Sequence, residues 1–296
     1  MIATFPGLIA LYCLTILHVP AGLWSSAALT DEPLFDKVPG MVSYTFRREF
    51  AKDVPGTLDR IKSLGVTDME FSNLFGQSAE DLRKMLDERG MVCSSLGVSY
   101  DDFRDNTDEV AANAKALGAK FVRVAWIPHK GQMTLEKITE VAGDFNRRGR
   151  HLREKHGLIF CYHNHGYEFV PHLDGTLFDE LMRQTLPEDV SVELDILWVK
   201  HPGVEPETIL EKYGSRIKLM HLKDLKKGVK GDFTGSTAVE SDVALGTGQI
   251  NMPAVLKAAK KAGVKHYYLE DESPNIQTQI PASIQYLKDL VIESDR

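Results

Sequence analysis

The chain is poor in cysteine, with 3 in 296 residues at positions 13, 93 and 161, too few for a disulfide scaffold. Positive charge is scarce: 35 Lys and Arg stand against 42 Asp and Glu, a net charge of −7. That disfavours a nucleic-acid partner held by phosphate neutralisation. The first Lys or Arg is Lys37, so the apolar run Leu8–Leu17 lacks a basic flank. At ten residues it is also short of the ~20 needed to span a membrane. No glycine-rich phosphate loop follows the first strand candidate, where Arg47-Arg48-Glu49 stands instead. This argues against a doubly wound dinucleotide-binding sheet. The 43% hydrophobic and 26% charged content excludes global disorder and allows a large core.

The amino terminus reads as a separate object. Leu8–Leu17 is followed by Pro20 and the small residues Ser25-Ser26-Ala27-Ala28, the layout of a secretory signal with its cleavage site. Residues 1–28 are therefore expected to be a signal peptide, and residues 29–296 the mature domain. Cleavage implies export to the periplasm or medium, with no stable membrane association afterwards. Left uncleaved, the stretch would be an anchor, and with another start codon the protein would be cytoplasmic.

From Met41 onward, short apolar runs alternate with amphipathic ones. Strand candidates are 41–46, 66–71, 91–98, 120–127, 158–163, 190–197, 217–222 and 265–270. Near-continuous apolar runs suit parallel strands covered on both faces. Cys93 and Cys161 fall on two of them as buried residues. Helical patterns lie between, one opening at Ser78 as N-cap, one over Asp108–Leu117, and the longest from Thr134 to about Lys155. Gly65, Gly90, Gly118, Gly157, Gly214 and Gly263 each stand past a helix and before a strand, where a left-handed residue ends helices. Eight strand–helix units predict an α/β fold, a single-domain (β/α)₈ TIM barrel.

That fold keeps its chemistry at the carboxyl ends of the strands. Those ends carry Glu70, His163, His165, Glu193, Asp195, His221 and Glu270. A carboxylate there needs a partner or a cation. Asp195, His221 and Glu270, on three consecutive strands, form the candidate metal trio. Mixed N/O donors suit Mn²⁺, Zn²⁺, Co²⁺ or Fe²⁺ better than Ca²⁺. The run Lys223–Lys227 reads as a solvated loop from which Lys223 can turn inward. Glu70 is expected at the substrate or in an ion pair. Trp126, Trp198 and Tyr44 either pack or wall the substrate site.

With these residues the chain resembles the sugar phosphate isomerase/epimerase family of xylose-isomerase-like TIM barrels, over nearly everything past the leader. The resemblance rests on Tyr162-His163-Asn164-His165…Glu168-Phe169, Glu193-Leu194-Asp195…Trp198-Val199 and His221-Leu222-Lys223-Asp224. It extends to Gly246-Thr247-Gly248…Ile250 and Tyr268-Leu269-Glu270-Asp271. It implies one divalent metal (Mn, Zn, Co or Mg) held by Glu, Asp, His and Glu from strands 5 to 8. Three positions carry over as Asp195, His221 and Glu270. At strand 5 the glutamate is absent, and His163 is the expected fourth ligand, with Glu193 the alternative.

The implied reaction is proton abstraction next to a sugar carbonyl through an enediolate, with Glu270, then His165 or His163, as base and Lys223 holding an oxyanion or hydroxyl. The expected activity is that of a sugar isomerase or epimerase. The alternatives are a lyase on a keto-sugar such as a 3-keto-glycoside, and a non-catalytic sugar-binding barrel. The expected partner is a small carbohydrate, and a homo-oligomer is compatible with the sequence.

Overall fold

The computed structural model describes residues 1–2, 35 and 37–291. The expected signal peptide lies outside the described residues apart from Met1 and Ile2. No helix among the described residues is long and apolar enough to cross a membrane.

Eight strands make the frame: β1 Gly40–Val42, β2 Asp68–Phe71, β3 Val92–Val98, β4 Phe121–Val124, β5 Ile159–His163, β6 Ser191–Asp195, β7 Ile217–Leu222 and β8 His266–Leu269. Each pairs in parallel with its neighbours in chain order, and β1 pairs with β8, closing the barrel. The outer helices include α1 Val54–Ser63, α2 Ala79–Asp87, α3 Tyr100–Asp105, α4 Thr107–Leu117, α5 Leu135–His151, α6 Leu177–Gln184, α7 Ile196–Lys200, α8 Pro206–Tyr213, α9 Met252–Ala262 and α10 Ile276–Asp289. Ser78 caps α2 by accepting from the Asp81 N–H at 3.0 Å. Cys93 and Cys161 are buried and unbridged.

Three strand candidates end early, 120–127 at Val124 and the other two at a polar residue with a competing bond. After Val42 the chain turns at Ser43, whose hydroxyl accepts from the Ser72 N–H at 2.8 Å. The sixth strand stops at Asp195, whose Oδ1 caps α7 through the Trp198 N–H at 3.0 Å. Among the glycine stops, five have the expected positive φ, but Gly214 does not. It is required there for room, since a Cβ would stand 2.6 Å from that of Ala262 on α9.

Inside the barrel, side chains alternate along each strand. Phe121, Cys161, Leu219 and Tyr268 form an apolar layer. Two residues further along the same strands, at the carboxyl ends, come Arg123, His163, His221 and Glu270. The site is thus the next layer of the barrel core, with its chemistry changed from apolar to ionisable.

Candidate active site at the carboxyl ends of the strands

Four side chains from four adjacent strand ends converge: His163, Asp195, His221 and Glu270. The strand register puts Asp195 opposite His221, and His221 opposite Tyr268, two residues before Glu270. His163 Nε2 lies 3.1 Å from His221 Nδ1 and 3.4 Å from Asp195 Oδ2. His221 Nδ1 lies 3.7 Å from Asp195 Oδ2 and 2.6 Å from Glu270 Oε2. Donors around a tetrahedral ion at ~2.0–2.1 Å stand roughly 3.3 Å apart. Asp195 Oδ2 is buried without a hydrogen-bond partner. Two imidazole nitrogens and two carboxylate oxygens, one of them orphaned, fit a borderline divalent cation.

The face of His221 turned away from this group is held by carboxylates. Its Nε2 donates to Glu70 Oε1 at 2.8 Å and stands 3.3 Å from Glu193 Oε2. That bond fixes the ring and leaves Nδ1 aimed at the other three donors, the support expected of a ligating histidine. Arg123 lies beneath, 2.7 Å from Glu70 Oε1 and 3.1 Å from Glu193 Oε2. The strand register slips between Met69 and Glu70 and between Val192 and Glu193. Such bulges re-aim side chains, and both stand at the two carboxylates behind His221. Glu193, the alternative ligand, therefore sits on the Nε2 side of His221, and Glu70 is buried there rather than at the cleft wall. His163 Nδ1, by contrast, has no partner among the described residues.

Charge in this layer is balanced by contact. Burial pushes the Glu70 carboxyl up, but Arg123 and His221 outweigh it and hold it well below the usual range. Glu193, whose oxygens accept no hydrogen bond, is pushed up to about 7 by burial and by the Glu70 charge. Burial lowers His221, yet Glu193, Glu270 and Glu70 raise it well above an ordinary imidazole. Glu270 is raised by burial, but Lys223 and His221 bring it low, so it is ionised. Burial depresses both His163 and His165, which are neutral at pH 7.

His165 stands outside the quartet. Its ring stacks between Tyr167 and Trp198, with centroids at 5.6 and 5.3 Å. Its backbone N–H donates to Glu168, which also accepts from the Tyr162 hydroxyl. Lys223 is buried among carboxylates, 2.8 Å from Glu272, 3.2 Å from Glu270, 3.6 Å from Asp242 and 4.0 Å from Asp195. It is not among the residues that line the cleft. The cleft above measures about 850 Å³, and Trp126, Trp198, Tyr44, His163, His165, His221 and Glu270 line it. Arg123, Asp242 and Glu272 line it too and escaped the sequence reading. The available signal was a charge two residues after Phe121 in an apolar run, and a second acid two residues after Glu270.

The chain belongs to the xylose isomerase-like TIM barrel family, whose model matches residues 58–290. An inosose dehydratase of Geobacillus kaustophilus (strain HTA426) is 27% identical over 208 residues, 60% of this chain and 67% of that relative. A sugar phosphate isomerase/epimerase of Parabacteroides distasonis ATCC 8503 superposes with a TM-score of 0.68 at 24% identity, covering 93% of this chain and all of that one. The IOLI protein, solved with a binding zinc atom, gives a TM-score of 0.66 at 17% identity over 84% of this chain and 94% of its own. At these identities the structural likeness shows the fold.

Asp195→Ala is expected to lose the metal at the strand ends while the barrel persists. It removes one ligand and one helix cap, and the cap costs about 1 kcal/mol. Elemental analysis with circular dichroism checks both, and full metal occupancy in a folded variant would remove Asp195 from the ligand set.

Proposed function

We propose that this protein abstracts a proton beside the carbonyl of an unphosphorylated keto-sugar or keto-polyol and then eliminates water, a lyase reaction of the dehydratase type. The observation that carries the reading is the charge of the cleft. Its described lining includes Asp101, Asp102, Glu109, Asp242, Glu270 and Glu272, against Arg123 and His221, both already engaged with Glu70 and Glu193. A phosphate would meet carboxylates, whereas a neutral polyol would find hydrogen-bond acceptors.

A divalent cation held by His163, Asp195, His221 and Glu270 would polarise the carbonyl and stabilise the charge developing on its oxygen. Glu270 and His165 border the cleft as proton acceptors. One of them takes the proton from the carbon next to the carbonyl, and the C–H electron pair shifts onto the carbonyl oxygen. Its return expels the hydroxyl from the carbon beyond the deprotonated one, and the proton held by the base goes to that hydroxyl, which leaves as water. Tyr167 and Trp198 hold the His165 ring, and Lys223 holds Glu270 Oε1. The dehydratase name of the sequence relative supports the elimination step. So does strand 5, where a neutral imidazole replaces the second glutamate of a two-base epimerase. Isomerisation and epimerisation share the first step and differ in where the proton returns.

The test is metal-replete protein with a panel of keto-polyols, ketoses and 3-keto-glycosides in D₂O, followed by NMR. Deuterium uptake with loss of water is expected. Uptake with an epimer or an aldose–ketose pair as product would establish an isomerase or epimerase instead. Absence of exchange across the panel would favour the sugar-binding barrel.

A further inference from the structure

A second convergence of metal-type donors lies in the outer helical layer and shares no residue with the barrel mouth. Asp108, in the first turn of α4, receives His151 Nε2 at 2.8 Å and His156 Nε2 at 2.7 Å on the same oxygen, Oδ1. The two imidazole centroids are 5.4 Å apart. His151 ends α5, and His156 ends the single π-helical turn Leu152–His156 that continues it.

That turn is what brings the histidines together. In an α-helix the neighbours on one face are three and four residues apart, so residues 151 and 156 would diverge. The wider turn bonds i to i+5 and returns His156 over His151. π-turns are rare and recur at functional positions. Three donors from two helices, N, N and O, are the set that Zn²⁺, Ni²⁺ and Cu²⁺ take, with water completing the sphere. The side chains stay open to solvent, with Asp108 61%, His151 33% and His156 14% exposed, so an ion can enter. Two cations compete: Lys155 Nζ lies 3.0 Å from Asp108 Oδ1 and Lys115 Nζ 3.5 Å from His156 Nδ1. Lys155 is itself 57% exposed on a flexible stem and can swing away.

We propose that Asp108, His151 and His156 form a second divalent transition-metal site, which clamps the end of the α5 segment to the start of α4. It is independent of the site at the strand ends. The test uses untagged full-length protein dialysed against Zn²⁺ alone and analysed for bound zinc, with the Asp195→Ala variant as background. One equivalent is expected to remain in Asp195→Ala and to be lost on adding His156→Gln or His151→Gln. Lys155→Met, which removes the competing ammonium, is expected to retain that equivalent at lower free zinc. In the unaltered chain, His156→Gln should lower zinc content by one equivalent and reduce the zinc-dependent rise in Tm, since an ion bound only to the folded state stabilises it. Equal zinc in Asp195→Ala with and without His156→Gln overturns the proposal, as does no zinc in Asp195→Ala. The absence of zinc from Asp195→Ala leaves the reading of the barrel mouth untouched.

Discussion

Arg123→Met is expected to destabilise the protein by about 3–5 kcal/mol at pH 8, the cost of leaving buried carboxylates without their cation. Glu70 and Glu193 are fully buried and share this guanidinium. His221 is their other cationic contact. The loss should shrink on acidification. Losing Arg123 raises both carboxyls, and Glu193 then lies well above its unfolded value, so the folded state binds more protons and stability falls as pH rises through that interval. Glu193, already at about 7 with Arg123 in place, moves higher without it, so the interval extends above that value. Urea unfolding at pH 8 and pH 6 measures it, and adding Glu193→Gln should recover part of the loss. A midpoint unchanged at both pH values would mean that Arg123 is not the counter-ion of this layer.

The second large effect separates proton transfer from metal retention. His165→Ala should leave bound metal intact and lower solvent-proton exchange with a turned-over keto-polyol by about 10²–10⁴-fold, the usual contribution of a positioned acid or base. Glu270→Gln should lose both, because its Oε2 faces His221 Nδ1. Metal content and deuterium incorporation, measured on the same samples, decide the roles. Exchange at full rate in His165→Ala would assign the proton to Glu270 alone, and metal loss in that variant would place His165 among the ligands.

Much of this architecture was legible because repetition is visible in one dimension. Eight apolar runs punctuated by glycine predict eight strands, and strand ends predict where His163, Asp195, His221 and Glu270 meet. What pairs across the barrel is not visible that way. Arg123 reads as one charge in KFVRVAWI, and only closure of the sheet puts it under Glu70, 53 residues earlier, and Glu193, 70 residues later. The sequence leaves Glu70 between substrate contact and ion pair for the same reason, since strand position tells which end a side chain occupies but not what stands in front of it, and closure makes it the ion pair with Arg123. The sequence makes 223–227 a solvated loop from which Lys223 can turn inward, but the carboxylates of Asp242 and Glu272 that surround it come from stretches with no recognised motif. Gly214 shows the converse limit, as helix contact rather than backbone angle explains it.

The carboxylate of Asp224 accepts the backbone N–H groups of Leu225, Gly246, Gly248 and Ile250. Together with the pairing of Asp224 and Leu225 to Val243 and Asp242, these bonds staple the two ends of the excursion between Lys226 and Ser241. Because closing a longer loop adds little entropic cost, such an excursion can lengthen or shorten without dragging on Lys223 at its root. Gly235 from this excursion packs against Tyr167 and His165, and its neighbours Ser236 and Thr237 line the cleft. Selectivity can therefore drift in one exchangeable segment while the ionisable layer below is inherited unchanged.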